Sequence, residues 1–514
     1  MALATTPRMD LAAAVTPRDG GAAYMTVETP HAVQHTMEDL LFLESSYDLR
    51  VDPTQFDRAV EIKPLSMNRP HMRVFHVSWL SAIPGFLGWY AIPPLMPVIK
   101  DQLKLTNGQI LNTDIASTAS TIVSRIVVGP LLELYGPQRV HSLTLWFGAI
   151  PIVAAAFVNN ATSLLIVRFF IGLVGCIFVS SQFWTTITFA RNVVGTSNAI
   201  TGGMGLSGIG WAFLILPYVN SWLSSSDHIS DDLAWRITIA LPAAVMIIMG
   251  SVAWYRADSC PMGDFHHLRR AQAARNAAAQ VEDGSSAALQ TETTTVSVRQ
   301  VITNLLFAFK VVLTDVNAWI MILHYGVSFG TELQLNNMGA LYFYEEFKKT
   351  DCVTGDCHAL SKSSAATVAS TFGLMNMFAR ALGGLATDFA NRRFGIRGRK
   401  WVQFVLLCIQ GVLVIVLSRM TQLGASIAIY ILVAMAAQSV GGSTFGIVPY
   451  VNEEYTGTVT GLVGAGGNLG GVIFGIIFRC TSSRADGLLI MGCIILVSSV
   501  FTACINIRSD KTRT

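Results

Sequence analysis

Ser124-Arg125-Ile126-Val127-Val128-Gly129-Pro130-Leu131-Leu132-Glu133 and Ala379-Arg380-Ala381-Leu382-Gly383-Gly384-Leu385-Ala386-Thr387-Asp388 carry the same arrangement. In each, an arginine is followed four residues on by glycine and eight residues on by an acid, and all three positions shift by 255 (380−125, 384−129, 388−133). A spacing of four places arginine, glycine and acid on one face of a helix. Each copy closes an apolar run. An arginine repeated at matched places in two apolar segments implies a helical chain built from two related halves.

Outward from these copies, the chain reads as a series of apolar runs. A bilayer span needs roughly 17–25 apolar residues. Runs at 76–99, 109–132, 141–158, 163–189, 196–223 and 233–255 precede a long polar interruption, and runs at 317–343, 365–389, 402–417, 425–450, 459–478 and 487–507 follow it. The fold expected is all-α and membrane-embedded, with twelve transmembrane helices in two pseudo-symmetric six-helix bundles. The domains expected are a tail at 1–73, a first bundle at 74–256, a linker at 257–305, a second bundle at 306–507 and a short tail at 508–514. The first tail is neither a secretion signal nor a span and is expected to lack structure up to about Asp57.

Composition agrees. Of 514 residues, 52% are hydrophobic and 13% charged, and the mean hydropathy is +0.50. Soluble domains carry about 25% charged residues. The net charge of +3 does not suggest nucleic acid. No zinc-type Cys/His cluster, phosphate-binding loop or dinucleotide fingerprint is present. No nucleophile–base pair stands out either, so a transporter is expected rather than an enzyme, with no cofactor and no metal. Basic residues in short loops orient membrane helices. Arg392, Arg393, Arg397, Arg399 and Lys400 after the eighth run, the basic linker and the C-terminal tail place both termini in the cytoplasm. Cys352 and Cys357 lie in a polar loop, where a local disulfide is open to them if that loop faces outside.

A mid-membrane arginine costs at least about 2.5–3.5 kcal/mol, and such residues usually face a cavity. Arg125 precedes Glu133 by about 12 Å of helix, which sets it near the middle of the bilayer, and Arg380 precedes Asp388 equally. Two guanidiniums facing one another make a site for an oxyanion. The alternative is a structural pair neutralised by buried carboxylates, for which Asp114, Asp315 and Glu332 are available. Arg168, near the start of the fourth run, can snorkel to the interface. Glu133 with Arg139, and Asp388 with Arg392, sit at cytoplasmic helix ends and read as conformational latches.

Phe178-Val179-Ser180-Ser181-Gln182-Phe183-Trp184 resembles the fourth span of the high-affinity nitrate transporters of plants and algae, in the nitrate/nitrite porter family of the major facilitator superfamily. So do Ile115-Ala116-Ser117 with Arg125, Tyr325-Gly326 with Ser328-Phe329-Gly330 and Glu332-Leu333, Phe372-Gly373-Leu374-Met375-Asn376, Phe378-Ala379-Arg380, and Gly466-Gly467-Asn468-Leu469-Gly470-Gly471. The resemblance implies nitrate, or nitrite, held by Arg125, Arg380 and Tyr325 between Phe178 and Phe445. It implies that the Gly-rich runs containing Gly205 and Gly467 slide during alternating access, with Asn468 on the anion. It implies proton symport across the plasma membrane, for which Glu332 and then Asp114 are the candidate proton-coupling groups. Relatives in plants often need a small single-span accessory subunit. A nitrate sensor on the same scaffold, or a carrier of another small organic anion, is the alternative. The chain departs from the family's usual residues at Leu206 (Asn), Glu133 (Asp) and Gln138 (Arg), and its Asp114 is unfamiliar there.

Overall fold

The computed structural model describes residues 48–226, 228–282, 298–348, 359–360, 362–452 and 454–507. The first half holds α1 (His71–Trp89), α2 (Met96–Leu103), α3 (Asn107–Tyr135), α4 (Pro137–Ala155), α5 (Ala161–Gly172), α6 (Ile177–Thr188), α7 (Val194–Ser224) and α8 (Asp231–Arg256). Between the halves lies α9 (Phe265–Glu282). The second half holds α10 (Val298–Leu313), α11 (Val316–Glu345), α12 (Lys362–Phe394), α13 (Ile396–Ser418), α14 (Leu423–Ile447), α15 (Thr456–Cys480) and α16 (Arg484–Val500).

Among the described residues, eight helical stretches are long and apolar enough to cross a bilayer, and 306–313 with 316–340, bent by 83°, make a ninth. The remaining three expected spans are present as α1, α4 and α12 but are more polar. α12 is the clearest case, since it carries Arg380, Asp388, Arg392 and Arg393. In hydrocarbon every backbone polar group must be satisfied internally, which helices achieve within one segment.

Local sequence sets the helix ends. Thr106 and Gln109 form a capping box at the start of α3, and Asn160 with Ser163 does the same for α5. Ser230 caps α8, and Ser483 caps α16. The fourth expected span is broken into α5 and α6 by a 3-10 turn at Leu173–Cys176. That break frees backbone carbonyls for other helices. Thr121 Oγ1 donates to Gly172 O at 2.6 Å.

The halves meet where α3 packs on α15 and α7 packs on α12. Glycine makes these approaches possible. A Cβ on Gly129 would lie 2.7 Å from the Gly457 carbonyl oxygen, and one on Gly210 would lie 2.5 Å from the Leu374 nitrogen. Small residues at such crossings let helix backbones touch.

Two boundaries differ from expectation. The first tail is structured before Asp57: Val51–Asp52 pairs antiparallel with Arg58–Ala59, and Ala190 N donates to Ala59 O at 2.8 Å. Leu49, Ala59, Met72, Phe75, Phe189 and Val193 form a small core beneath this hairpin. The linker boundary at 305 falls inside α10. Cys352 and Cys357 lie outside the described residues.

Candidate functional site

Arg125 and Arg380 are both buried, at 0% and 1% exposure. Arg125 Nε donates to Gly175 O at 3.0 Å, using a carbonyl of the 3-10 break. Its Nη1 donates to Gly464 O on α15 at 2.8 Å. Arg380 Nε donates to Asn376 Oδ1 at 3.2 Å, and its Nη2 donates to Glu332 Oε2 at 2.9 Å. Asn376 Nδ2 closes the ring by donating to Glu332 Oε1 at 2.6 Å. Arg125 Nη2, Arg380 Nη1 and the Tyr325 hydroxyl have no hydrogen-bond partner among the described residues.

The three acids offered by the sequence as neutralisers divide differently. Glu332 pairs with Arg380. Asp114 pairs with Arg168 instead, and Asp315 accepts from Asn317 N at 2.8 Å at the start of α11. No ion pair to Arg125 exists among the described residues. Two guanidiniums and one carboxylate leave a formal excess of one positive charge. A buried charge without a partner is costly, and one monoanion would balance it.

Aromatic rings wall this charge. The Arg125 guanidinium carbon lies 5.3 Å from the Phe178 ring centre and 5.1 Å from that of Phe329. The Arg380 guanidinium carbon lies 5.7 Å from the same Phe178 ring. Phe445 meets Phe178 edge-on at 5.0 Å and Tyr325 edge-on at 4.9 Å. Tyr325 stacks on Phe329 at 5.1 Å. Phe329 was not picked out from the sequence as a site residue; its spacing of four from Tyr325 on one helix face was the available signal. A Cβ on Gly467 would lie 2.6 Å from the Tyr325 ring, so that ring rests on the α15 backbone. Asn468 Nδ2 donates to Gly464 O at 3.2 Å, and its Oδ1 has no partner among the described residues.

The Major Facilitator Superfamily model matches residues 78–475. The chain is 33% identical to High affinity nitrate transporter 2.5 of Arabidopsis thaliana, covering 86% of this chain and 81% of that one. It is 31% identical to High affinity nitrate transporter 2.7 of the same plant, over 81% and 79%, and 31% identical to Nitrate transporter 2.1 of Chlamydomonas reinhardtii, over 82% and 72%. This chain belongs to the high-affinity nitrate transporter family. Its fold is that of the superfamily: the proton:xylose symporter XylE superposes with a TM-score of 0.60 at 14% identity, covering 84% of this chain and 95% of that one.

In this family member, Glu133 and Asp388 each reach into the other half. Glu133 Oε1 accepts from Thr458 N at 3.0 Å and from Thr458 Oγ1 at 3.3 Å. Asp388 Oδ2 accepts from Thr196 N and Thr196 Oγ1, both at 2.6 Å. Thr458 and Thr196 are each the third residue of a helix. Each acid thus satisfies free N–H groups at a helix start and lies at the positive end of its dipole.

The basic partners expected there are not used. Arg139 and Arg392 are exposed and make no ion pair among the described residues. Arg399, fully buried, pairs with Asp388 at 2.5 Å, donates to Thr387 Oγ1 at 3.2 Å and lies over the Tyr450 ring at 5.2 Å. Gln138, where the family's usual residue is Arg, donates to the Trp254 and Ala257 carbonyls, each at 2.8 Å, and ties down the end of α8. Gly205 faces Ala82 on α1, 2.9 Å from where its Cβ would be. It is a position where α7 packs on α1. Leu206 is buried in the same core as Phe178, Tyr325 and Phe329.

Proposed function

We propose that this transporter carries nitrate, and with it nitrite, into the cell across the plasma membrane by alternating access, coupled to protons. Both termini and the linker face the cytoplasm, so the Glu133 and Asp388 contacts close the inner side. The observation that carries the reading is the convergence of Arg125, Arg380 and Tyr325, each with an unpartnered donor, on one ring cage with an excess of one positive charge. A flat, weakly hydrated monoanion suits paired planar donors between ring faces.

Arg125 is the constant holder and Arg380 the conditional one. Ionised Glu332 occupies one prong of Arg380 and lowers the site's attraction for an anion. A proton on Glu332 releases that prong. By linkage, proton and anion then favour one another's binding. With ionised Glu332 and no anion the site carries +1, and with one nitrate and a protonated Glu332 it again carries +1. Moving a lone anion inward against a negative interior costs about 2.3 kcal/mol per 100 mV, so the proton offsets that opposition.

The test is uptake of labelled nitrate into oocytes at acid and neutral outer pH, with unlabelled nitrate, nitrite, chlorate and organic acids as competitors. Competition by the first three and stimulation by acid are expected. Binding without uptake would make the protein a sensor, and competition by organic acids would make it another anion carrier. Co-expression with a small single-span protein from the same cell tests the need for an accessory subunit.

A further inference from the structure

A further acid–guanidinium pair lies among the helices, away from the central cage. Asp114 on α3 pairs with Arg168 on α5. Arg168 does not snorkel outward; its side chain is 4% exposed, whereas that of Asp114 is 26% exposed. Arg168 Nε is buried and has no hydrogen-bond partner among the described residues. Asp114 precedes Arg125 by eleven residues (125−114), which is three helical turns, or about 16 Å, along the same face of α3. The pair therefore stands on the side away from the Glu133 and Asp388 contacts. Tyr90, at the end of α1, interacts electrostatically with Glu332, Arg168, Asp114 and Arg125, so the second pair and the cage share a neighbour. Trp89 Nε1 donates to Ser117 Oγ at 3.1 Å, which holds Tyr90 beside this turn of α3.

We propose that Arg168 is a second anion-binding position on the substrate path, a recruiting site at the outer side that Asp114 masks and a proton on Asp114 unmasks. This rests on the reading of the protein as an anion importer. A proton from the outer water binds an Asp114 carboxylate oxygen, the ion pair becomes a neutral acid beside a cation, and Arg168 turns its charge and its free Nε–H toward an entering monoanion. When the anion moves on to Arg125, the proton returns to the outer water and the pair re-forms. The site changes capture and leaves the transport stoichiometry unaltered. Arg168 is the charged side chain that acts directly on Asp114. Of the other elements packed on α3, α6 holds no charged residue, α4 holds Arg139 and His141 at its opposite end, and α15 contributes Arg479, which is exposed.

The experiment is the KM for labelled nitrate at acid and neutral outer pH in the full-length protein, normalised to surface protein. Asp114→Asn imitates the protonated acid. Its KM at neutral pH should fall at least about fivefold, the low end of ordinary coupling between sites, and should change less with pH than the wild type's, the remaining dependence being that of Glu332. The double variant Asp114→Asn with Arg168→Gln leaves no lone buried charge. It should show a raised KM at both pH values, and it decides the matter if the single variant fails to reach the membrane. A neutral-pH KM in Asp114→Asn equal to or above the wild type's, or a double variant that keeps the wild-type pH dependence, overturns the proposal. No uptake by the wild type sinks the import reading and this one with it; uptake with an unshifted KM sinks this one alone.

Discussion

Arg125 and Arg380 occupy matched places in the repeat, yet they are held in different ways. Arg125 donates once to Gly175 in its own half and once across the interface to Gly464. Arg380 makes its hydrogen bonds within its own half, to Asn376 and Glu332. The two acids at the interface differ in the same sense. Glu133 accepts from a threonine across the interface and has no ion-pair partner among the described residues, whereas Asp388 also carries the buried Arg399. A duplicated framework thus supplies matched backbones, and unmatched side chains divide the work. The first half holds a buried charge with no ion-pair partner among the described residues; the second half holds one that Glu332 already balances.

The largest break in this comparison is expected at the latches. Asp388→Asn strands Arg399, and removing one member of a buried pair costs about 3–5 kcal/mol. Glu133→Gln gives up charge-assisted bonds worth about 1.5–3 kcal/mol but strands no cation. Cysteine accessibility at the inner helix ends should rise in both variants and rise further in the Asp388 one. Equal rises would mean that Arg399 has no part in closure.

Next in size is the pair of conservative arginine changes. Arg125→Lys loses the paired donors and the bond to Gly464, and uptake at low nitrate should fall about 100-fold, or about 2.8 kcal/mol. Arg380→Lys keeps an ion pair with Glu332 and should lose only about tenfold. Surface labelling must show both variants at the membrane, and a larger loss in the second would reverse the assignment of roles. Glu332→Gln should remove most acid stimulation of uptake and lower the KM at neutral pH, because Arg380 is then free at every pH. Retained acid stimulation in that variant would move the coupling elsewhere. The smallest change is expected from Leu206→Asn, which restores the family's usual residue at the position whose counterpart in the second half is Asn468. A shift in nitrate-over-nitrite preference of under about threefold is expected, well below the roughly tenfold that 1.4 kcal/mol provides.

The repeat of 255 residues made the two halves and both arginines legible, because charge inside apolar runs is rare and its spacing is countable. Phe329 was not singled out, since a phenylalanine in a buried helix looks like ordinary packing until its neighbours are known. The partner of Asp388 was misplaced for a different reason. Arg392 is near in sequence but exposed, whereas Arg399 returns from the next helix, α13. Asp114 and Arg168 were each visible, but their pairing joins different helices and no spacing encodes it. The hairpin at 51–59 escaped notice because two-residue strands carry no alternation, and one of them leans on Phe189.

That hairpin has a mechanical consequence. It grips the turn after α6: Ala59 O takes Ala190 N at 2.8 Å, and Arg191 N donates to Gln55 Oε1 at 3.2 Å. The Arg191 carbonyl in turn accepts from the Tyr450 hydroxyl at 3.0 Å and from Arg399 at 3.5 Å. A segment ahead of the first membrane helix is therefore tied, through one turn, to two side chains of the second half. Cutting it away, or fusing a bulky tag beside it, would alter how fast the carrier resets without touching a single group that meets its cargo.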